Sequence, residues 1–183
     1  AQLQLGLFHL GDEHHLPNYQ EALKWFYAAA SKNEAEAEYQ LGLLYERGRG
    51  TSVNYDEARR CYRSAAEQGH LHAQYQLGNL FDKGLGTKQD YTEAFKWIEQ
   101  AAQKGHPKAQ FQLGQMYANG EGITRDYQEA AKWYRLAATH GHTKAQFQLG
   151  MLYKKGLGVT QDYTEATRWL KQSIEQSISE PSF

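Results

Sequence analysis

The feature that most constrains this chain is a repeat. Ala1-Gln2-Leu3-Gln4-Leu5-Gly6 recurs as Ala37-Glu38-Tyr39-Gln40-Leu41-Gly42, then at Ala73–Gly78, Ala109–Gly114 and Ala145–Gly150. Each step is 36 residues, and five units of that length span 180 of the 183 residues without a gap. A period of this size marks repeat architectures, in which a short unit cannot bury its own apolar face and stacking supplies the core. The chain therefore reads as one domain, 1-183, built from repeats 1-36, 37-72, 73-108, 109-144 and 145-180.

Each unit reads as two helices. In the fourth, Ala109, Leu113, Met116 and Tyr117 recur at helical spacing and form one apolar stripe. Gly114 beside them leaves room for a close neighbour. Gly48, Gly84, Gly120 and Gly156 stand where a left-handed residue ends a helix, and a second glycine follows each two residues on. The second helix opens at an Asx column (Asn18, Asn54, Asp90, Asp126, Asp162) with glutamate three residues later, the spacing of a capping box. Paired alanines then allow tight crossing. Asn33, Gly69, Gly105 and Gly141 provide the stop. The column Trp25, Cys61, Trp97, Trp133 and Trp169 reads as core, with the single cysteine as an apolar filler.

At this point the residues resemble a known family. Ala109-Gln-Phe-Gln-Leu-Gly-Gln-Met-Tyr-Ala-Asn-Gly-Glu-Gly122 and Asp126-Tyr-Gln-Glu-Ala-Ala-Lys-Trp-Tyr-Arg-Leu-Ala-Ala138 look like the Sel-1-like repeat family, a relative of tetratricopeptide repeats. The resemblance covers the whole chain. It implies an all-α fold, a right-handed α-solenoid superhelix of five helix-turn-helix repeats. It also implies a bacterial, non-enzymatic scaffold or adaptor that holds a protein or peptide on its concave face. Family members are exported or cytoplasmic, and the sequence leaves both open. Two departures stand out. The first unit has Gly11-Asp12-Glu13-His14-His15 in place of the Gly-x-Gly loop and starts short of a full helix, so more sequence is expected upstream. The last has Ser173-Ile174 for Ala-Ala, and Lys171, Gln172, Ser173, Glu175 and Gln176 give it the polar character of a terminal cap.

In related repeats the first helices line the concave side. There, opposite the buried stripe, three columns yield the expected contact residues: Tyr39, Tyr75, Phe111 and Phe147; Leu43, Asn79, Gln115 and Met151; and Glu46, Asp82 and Lys154. The aromatic column serves either to anchor a ligand or to pack one repeat on the next. The other two columns differ between repeats, so specificity can be written there. The same groove would also suit a glycan, a cell-wall fragment or a small ligand, which is the alternative reading.

Other chemistries find little support. Twenty basic and 21 acidic residues leave a net charge of −1, against a main task of neutralising nucleic-acid phosphates. No apolar run is long enough to span a membrane. No H-E-x-x-H, C-x-x-C, G-x-S-x-G or P-loop pattern occurs. His70, His106 and His142 follow the helix-stop glycines and read as a turn signature, because adjacent helices lie about 8–10 Å apart and metal ligands about 2 Å from a zinc. His14 and His15 are the best of the metal candidates, since they stand in an irregular loop. No metal, cofactor or catalytic residue is expected, and the chain is expected to be a monomer.

Overall fold

The computed structural model describes residues 1–11 and 16–179; His14 and His15 lie outside them. Among the described residues there are ten helices and no strands. In chain order they are α1 (Gln2–Phe8), α2 (Tyr19–Ala30), α3 (Ala35–Arg47), α4 (Tyr55–Glu67), α5 (Leu71–Lys83), α6 (Tyr91–Gln103), α7 (Pro107–Asn119), α8 (Tyr127–Thr139), α9 (Thr143–Lys155) and α10 (Tyr163–Ser179). From α3 onward the odd-numbered helices begin two residues before the repeated alanine, so the structural unit starts slightly earlier than the sequence motif. The chain divides into two compact units, Ala1–Asp90 and Tyr91–Phe183.

Local chemistry sets the helix ends. The α4 cap Asn54 accepts the Glu57 N–H through its side chain, while its own N–H donates to the Tyr45 carbonyl of α3. Asp126 accepts from Gln128 and Glu129 and donates to Tyr117 in the same way. One residue thus caps the second helix and pins the loop to the first. The glutamates three residues on do not reach back as a capping box would. They turn outward, Glu57 to Arg60 at 2.9 Å and Glu165 to Arg168 at 3.2 Å. Neighbours at i and i+3 on a helix surface compete well for such a carboxylate.

At the other end His70, His106 and His142 each cap the next repeat. Each imidazole Nδ1 accepts the N–H of Ala73, Ala109 or Ala145, and each backbone N–H donates to the first of the paired alanines, Ala65, Ala101 or Ala137. The second alanine's carbonyl receives a buried glutamine amide: Gln74 to Ala66, Gln110 to Ala102, Gln146 to Ala138. Carbonyls left over at a helix end are therefore met from the following repeat.

The second loop glycine has a steric reason. A Cβ on Gly122 would lie 2.1 Å from the Tyr91 carbonyl oxygen, and one on Gly158 the same distance from that of Tyr127. Both residues also have φ of +73° and +69°. The loop of one repeat thus rests on the backbone that opens the preceding repeat's second helix.

The core differs from the sequence reading in one respect. The large side chains buried at the heart of each unit are Phe26 and Tyr62 in the first, Ile98 and Tyr134 in the second. These follow the tryptophan column by one residue. Trp25, Trp97 and Trp133 are half-buried, and Trp169 alone is buried at 7% exposure. A step of one residue turns 100° around a helix, so only one of two adjacent columns can face the centre. The rings of Phe26, Tyr62 and Tyr134 lie flat on Gly6, Gly42 and Gly114, within 2.6 Å of where a Cβ would stand. Cys61 is half-buried, and burial pushes its thiol up to about 12, which keeps it protonated and unreactive at neutral pH. Ser173 does not belong to the polar outer face. It is buried, and its hydroxyl donates to the Thr143 carbonyl.

Candidate functional site

The predicted contact columns behave differently in the two units. In the first, they are tied into the unit's own polar network. Tyr39 stacks on His70 with ring centroids 4.6 Å apart and lies 5.9 Å from Tyr62. The Tyr62 hydroxyl donates to Glu46, and the Gln76 amide donates to the same carboxylate oxygen at 3.4 Å. Asn79 donates in turn to the Gln76 carbonyl. Gln89 holds the backbone carbonyl of Asp82. Leu43 and Tyr75 are half-buried. Glu46, expected to vary for a ligand's sake, is instead the acceptor that satisfies a buried tyrosine.

In the second unit the same columns border open space. A cavity of about 430 Å³ is lined by Phe111 and Gln115 of α7, Thr143, Lys144, Phe147 and Gln148 of α9, and Ser173 and Ser177 of α10. A second, of about 280 Å³, shares Gln115 and Gln148 and continues along α7 and α9 past Ala118, Met151 and Lys155, with Tyr134 of α8 beside them. Four of the expected residues, Phe111, Gln115, Phe147 and Met151, are thereby brought to one surface. Lys154 is exposed on α9 and does not line either cavity.

Both uses of the aromatic column are present. Phe111 stacks on the capping His142 at 4.5 Å and touches Tyr134, so it packs one repeat on the next. It also lines the larger cavity. Phe147, the last of the column, is 47% exposed. An apolar ring left that open beside a cavity suits an anchor for an incoming side chain.

The electrostatics of the larger cavity are mildly positive. Lys144 lines it, and no acidic side chain does. Burial, aided by Lys144 and Lys108, holds His142 below the ordinary histidine range, so its Nδ1 stays free to accept the Ala145 N–H. Among the described residues no group of three or more His, Cys, Asp or Glu is placed to hold a metal ion. No helix there is long and apolar enough to cross a membrane.

Sequence reasoning missed the buried glutamines, Gln74, Gln110 and Gln146. Their regular recurrence next to the invariant alanine was the available signal. It also missed Tyr62 and Tyr134, whose column (Phe26, Tyr62, Ile98, Tyr134, Leu170) varies too much to catch the eye.

Comparison with known proteins agrees with this geometry. The pattern described as Sel1 repeat matches five times, at residues 1–34, 35–70, 71–106, 107–142 and 143–178, in the frame set by the helices. The chain is similar to a protective antigen present in uropathogenic Escherichia coli strains, whose crystal structure displays the same fold. The two are 37% identical with a TM-score of 0.92, over 96% of this chain and 38% of that one. It is similar also to a Sel1 repeat protein from Oxalobacter formigenes, 35% identical with a TM-score of 0.89, over 96% of this chain and 72% of that one. Cysteine rich protein B of Helicobacter pylori shares the fold at 19% identity and a TM-score of 0.54, over 70% of this chain and 95% of that one. No curated protein sequence matches the chain. With five matches end to end, an all-helical solenoid fold and two relatives above a third identity, the chain belongs to the Sel1 repeat family.

Proposed function

We propose that this chain is a non-enzymatic adaptor that holds a peptide segment of a protein partner against its first helices, with the contact concentrated on α7 and α9. Repeat proteins of this family commonly serve as protein-interaction modules, and the chemistry here suits that work. The observation that carries the reading is the cavity between Phe111, Gln115, Phe147 and Gln148, with one exposed ring and unengaged glutamine amides at its border. A rigid helical scaffold presenting an aromatic anchor and adaptable polar groups captures a peptide with little reorganisation of its own. Tyr39, Leu43, Glu46, Tyr75, Asn79 and Asp82 act in this reading mainly as supports, and Lys154 as a charge at the rim.

Peptides selected from a displayed random library against the chain, then titrated calorimetrically, test the reading. Phe147→Glu should weaken binding by about tenfold or more. Leu136→Glu, also on an exposed apolar residue but outside the cavity lining, should leave it unchanged. One peptide per chain is expected, as for a monomer with one groove. Equal losses in the two variants, or no selectable peptide, would sink the proposal.

A further inference from the structure

The first unit contains a template for what the second lacks. Tyr62 is fully buried with its ring on Gly42, and its hydroxyl ends on the Glu46 carboxylate, which Gln76 also approaches. Two repeats further on stand Tyr134, Gly114 and Gln148, but Ala118 replaces Glu46. Tyr134 keeps the same seat on its glycine and is only 3% exposed. Its hydroxyl has no hydrogen-bond partner among the described residues, and it borders the cavity of about 280 Å³ that opens where the glutamate would stand.

The ring is buried but the hydroxyl faces the cavity, and a cavity lined by donors is suited to an acceptor. The lining offers the Tyr134 hydroxyl, the Gln115 and Gln148 amides and the Lys155 ammonium. No acidic side chain lines it. Glu121, an acid whose charge acts on Tyr134, is engaged by the Asn119 amide at 3.2 Å. Burial first, and Glu121 second, push the Tyr134 hydroxyl well above its ordinary range, so it remains a donor at neutral pH.

We propose that this cavity seats a carboxylate of the bound peptide, from a glutamate or aspartate side chain or from a chain terminus, in the place that Glu46 fills in the first unit. The inference rests on the peptide-groove reading and names the chemistry that the groove selects. The ligand carboxylate takes the Tyr134 proton donor and the Gln148 amide together, as Glu46 takes Tyr62 and Gln76. The Lys155 ammonium supplies the charge complement. Phe111 and Phe147, in the adjoining cavity that shares Gln115 and Gln148, hold the residues that follow.

Three small probes test it on the intact chain by NMR: N-acetyl-glutamic acid α-amide, N-acetyl-alanine and N-acetyl-glutamine α-amide. The signals followed are the Gln148 side-chain amide and the Tyr134 ring. The first probe carries only a side-chain carboxylate, the second only a terminal one, the third none. At least one carboxylate probe should bind about tenfold more tightly than the neutral probe. The better of the two identifies the source. Tyr134→Phe, which keeps the ring, should weaken that probe several-fold, and Ala118→Glu should abolish its binding by installing the missing carboxylate. Glu46→Ala should create the same response at Gln76. Equal binding of the neutral probe, no response to either carboxylate, or binding indifferent to Tyr134→Phe and Ala118→Glu would overturn the proposal. Should selected peptides depend on Phe147 but not on Ala118→Glu, the carboxylate seat falls and the groove stands. Should the probes bind as expected while no peptide depends on Phe147, the seat stands and the groove falls.

Discussion

Tyr62 and Tyr134 occupy equivalent places in their repeats, each buried with its ring on a glycine, yet their surroundings have diverged. Around Tyr62 the first unit supplies its own acids. Glu36 meets the capping His70 at 3.0 Å, Glu38 takes Ser64 and Gln68, and Glu46 takes Tyr62. Around Tyr134 the matching positions are Lys108, Gln110 and Ala118. The backbone is alike and the carboxylates are gone. One scaffold can therefore be closed by its own side chains or left open with its donors facing a cavity. The backbone alone does not decide which.

The comparison can be broken most forcefully at the rings themselves. Tyr134→Ala should cost about 3–5 kcal/mol in urea unfolding, and Tyr62→Ala at least as much, since it also deprives Glu46 of a partner. Trp133→Ala should cost clearly less than Tyr134→Ala, because the tryptophan is half-buried. The opposite order would return the core to the tryptophan column. A finer cut removes only the hydroxyls. Tyr62→Phe should cost about 1.5–3 kcal/mol for a bond to a charged acceptor, whereas Tyr134→Phe should be near neutral. Equal values would mean that the two tyrosines are not differently engaged. Smaller again, Ala118→Glu should raise the unfolding free energy by about 1 kcal/mol, if the second unit accepts the first unit's arrangement. A loss of stability there would show the cavity to be shaped for something else.

The smallest effect concerns pH. His70 has a carboxylate beside it, while His142 is flanked by Lys108 and Lys144. Its folded-state value lies below the unfolded one, so the unfolded chain binds more protons. Its contribution is full above about pH 6.5 and is lost as pH falls below that value. His142→Asn, which can still cap α9, should flatten the wild-type decline between about pH 7 and 5, by under about 1 kcal/mol. An unchanged slope would remove His142 as its source.

Much of this was legible in the sequence because much of it is local. The Asx caps, the stop glycines and the position of each hairpin depend on residues a few places apart, and a repeat displays them five times. Even Gly114 announced a close approach. The polar ties were not legible. Glu46 lies 16 residues from Tyr62 and 30 from Gln76, and no spacing rule links such positions. Nor did repetition rank burial correctly. The tryptophans recur because a broad ring suits a half-covered position, whereas Phe26, Tyr62, Ile98 and Tyr134 differ because each fills a slightly different interior. The candidate site was therefore found by column but not by state: the sequence could line up Glu46, Asp82, Ala118 and Lys154 without telling that the first was already occupied.

The second loop glycine carries a further consequence. Gly50, Gly86, Gly122 and Gly158 each bring their loop against main-chain atoms at the start of an earlier helix, at Tyr19, Tyr55, Tyr91 and Tyr127. Because main-chain atoms are the same whatever the residue, such a junction asks for no matched partner side chain. At this joint a repeat can be duplicated, inserted or exchanged without a compensating change, and the residues on the open face can drift independently of it. The open face is thus free to change while this part of the assembly is inherited.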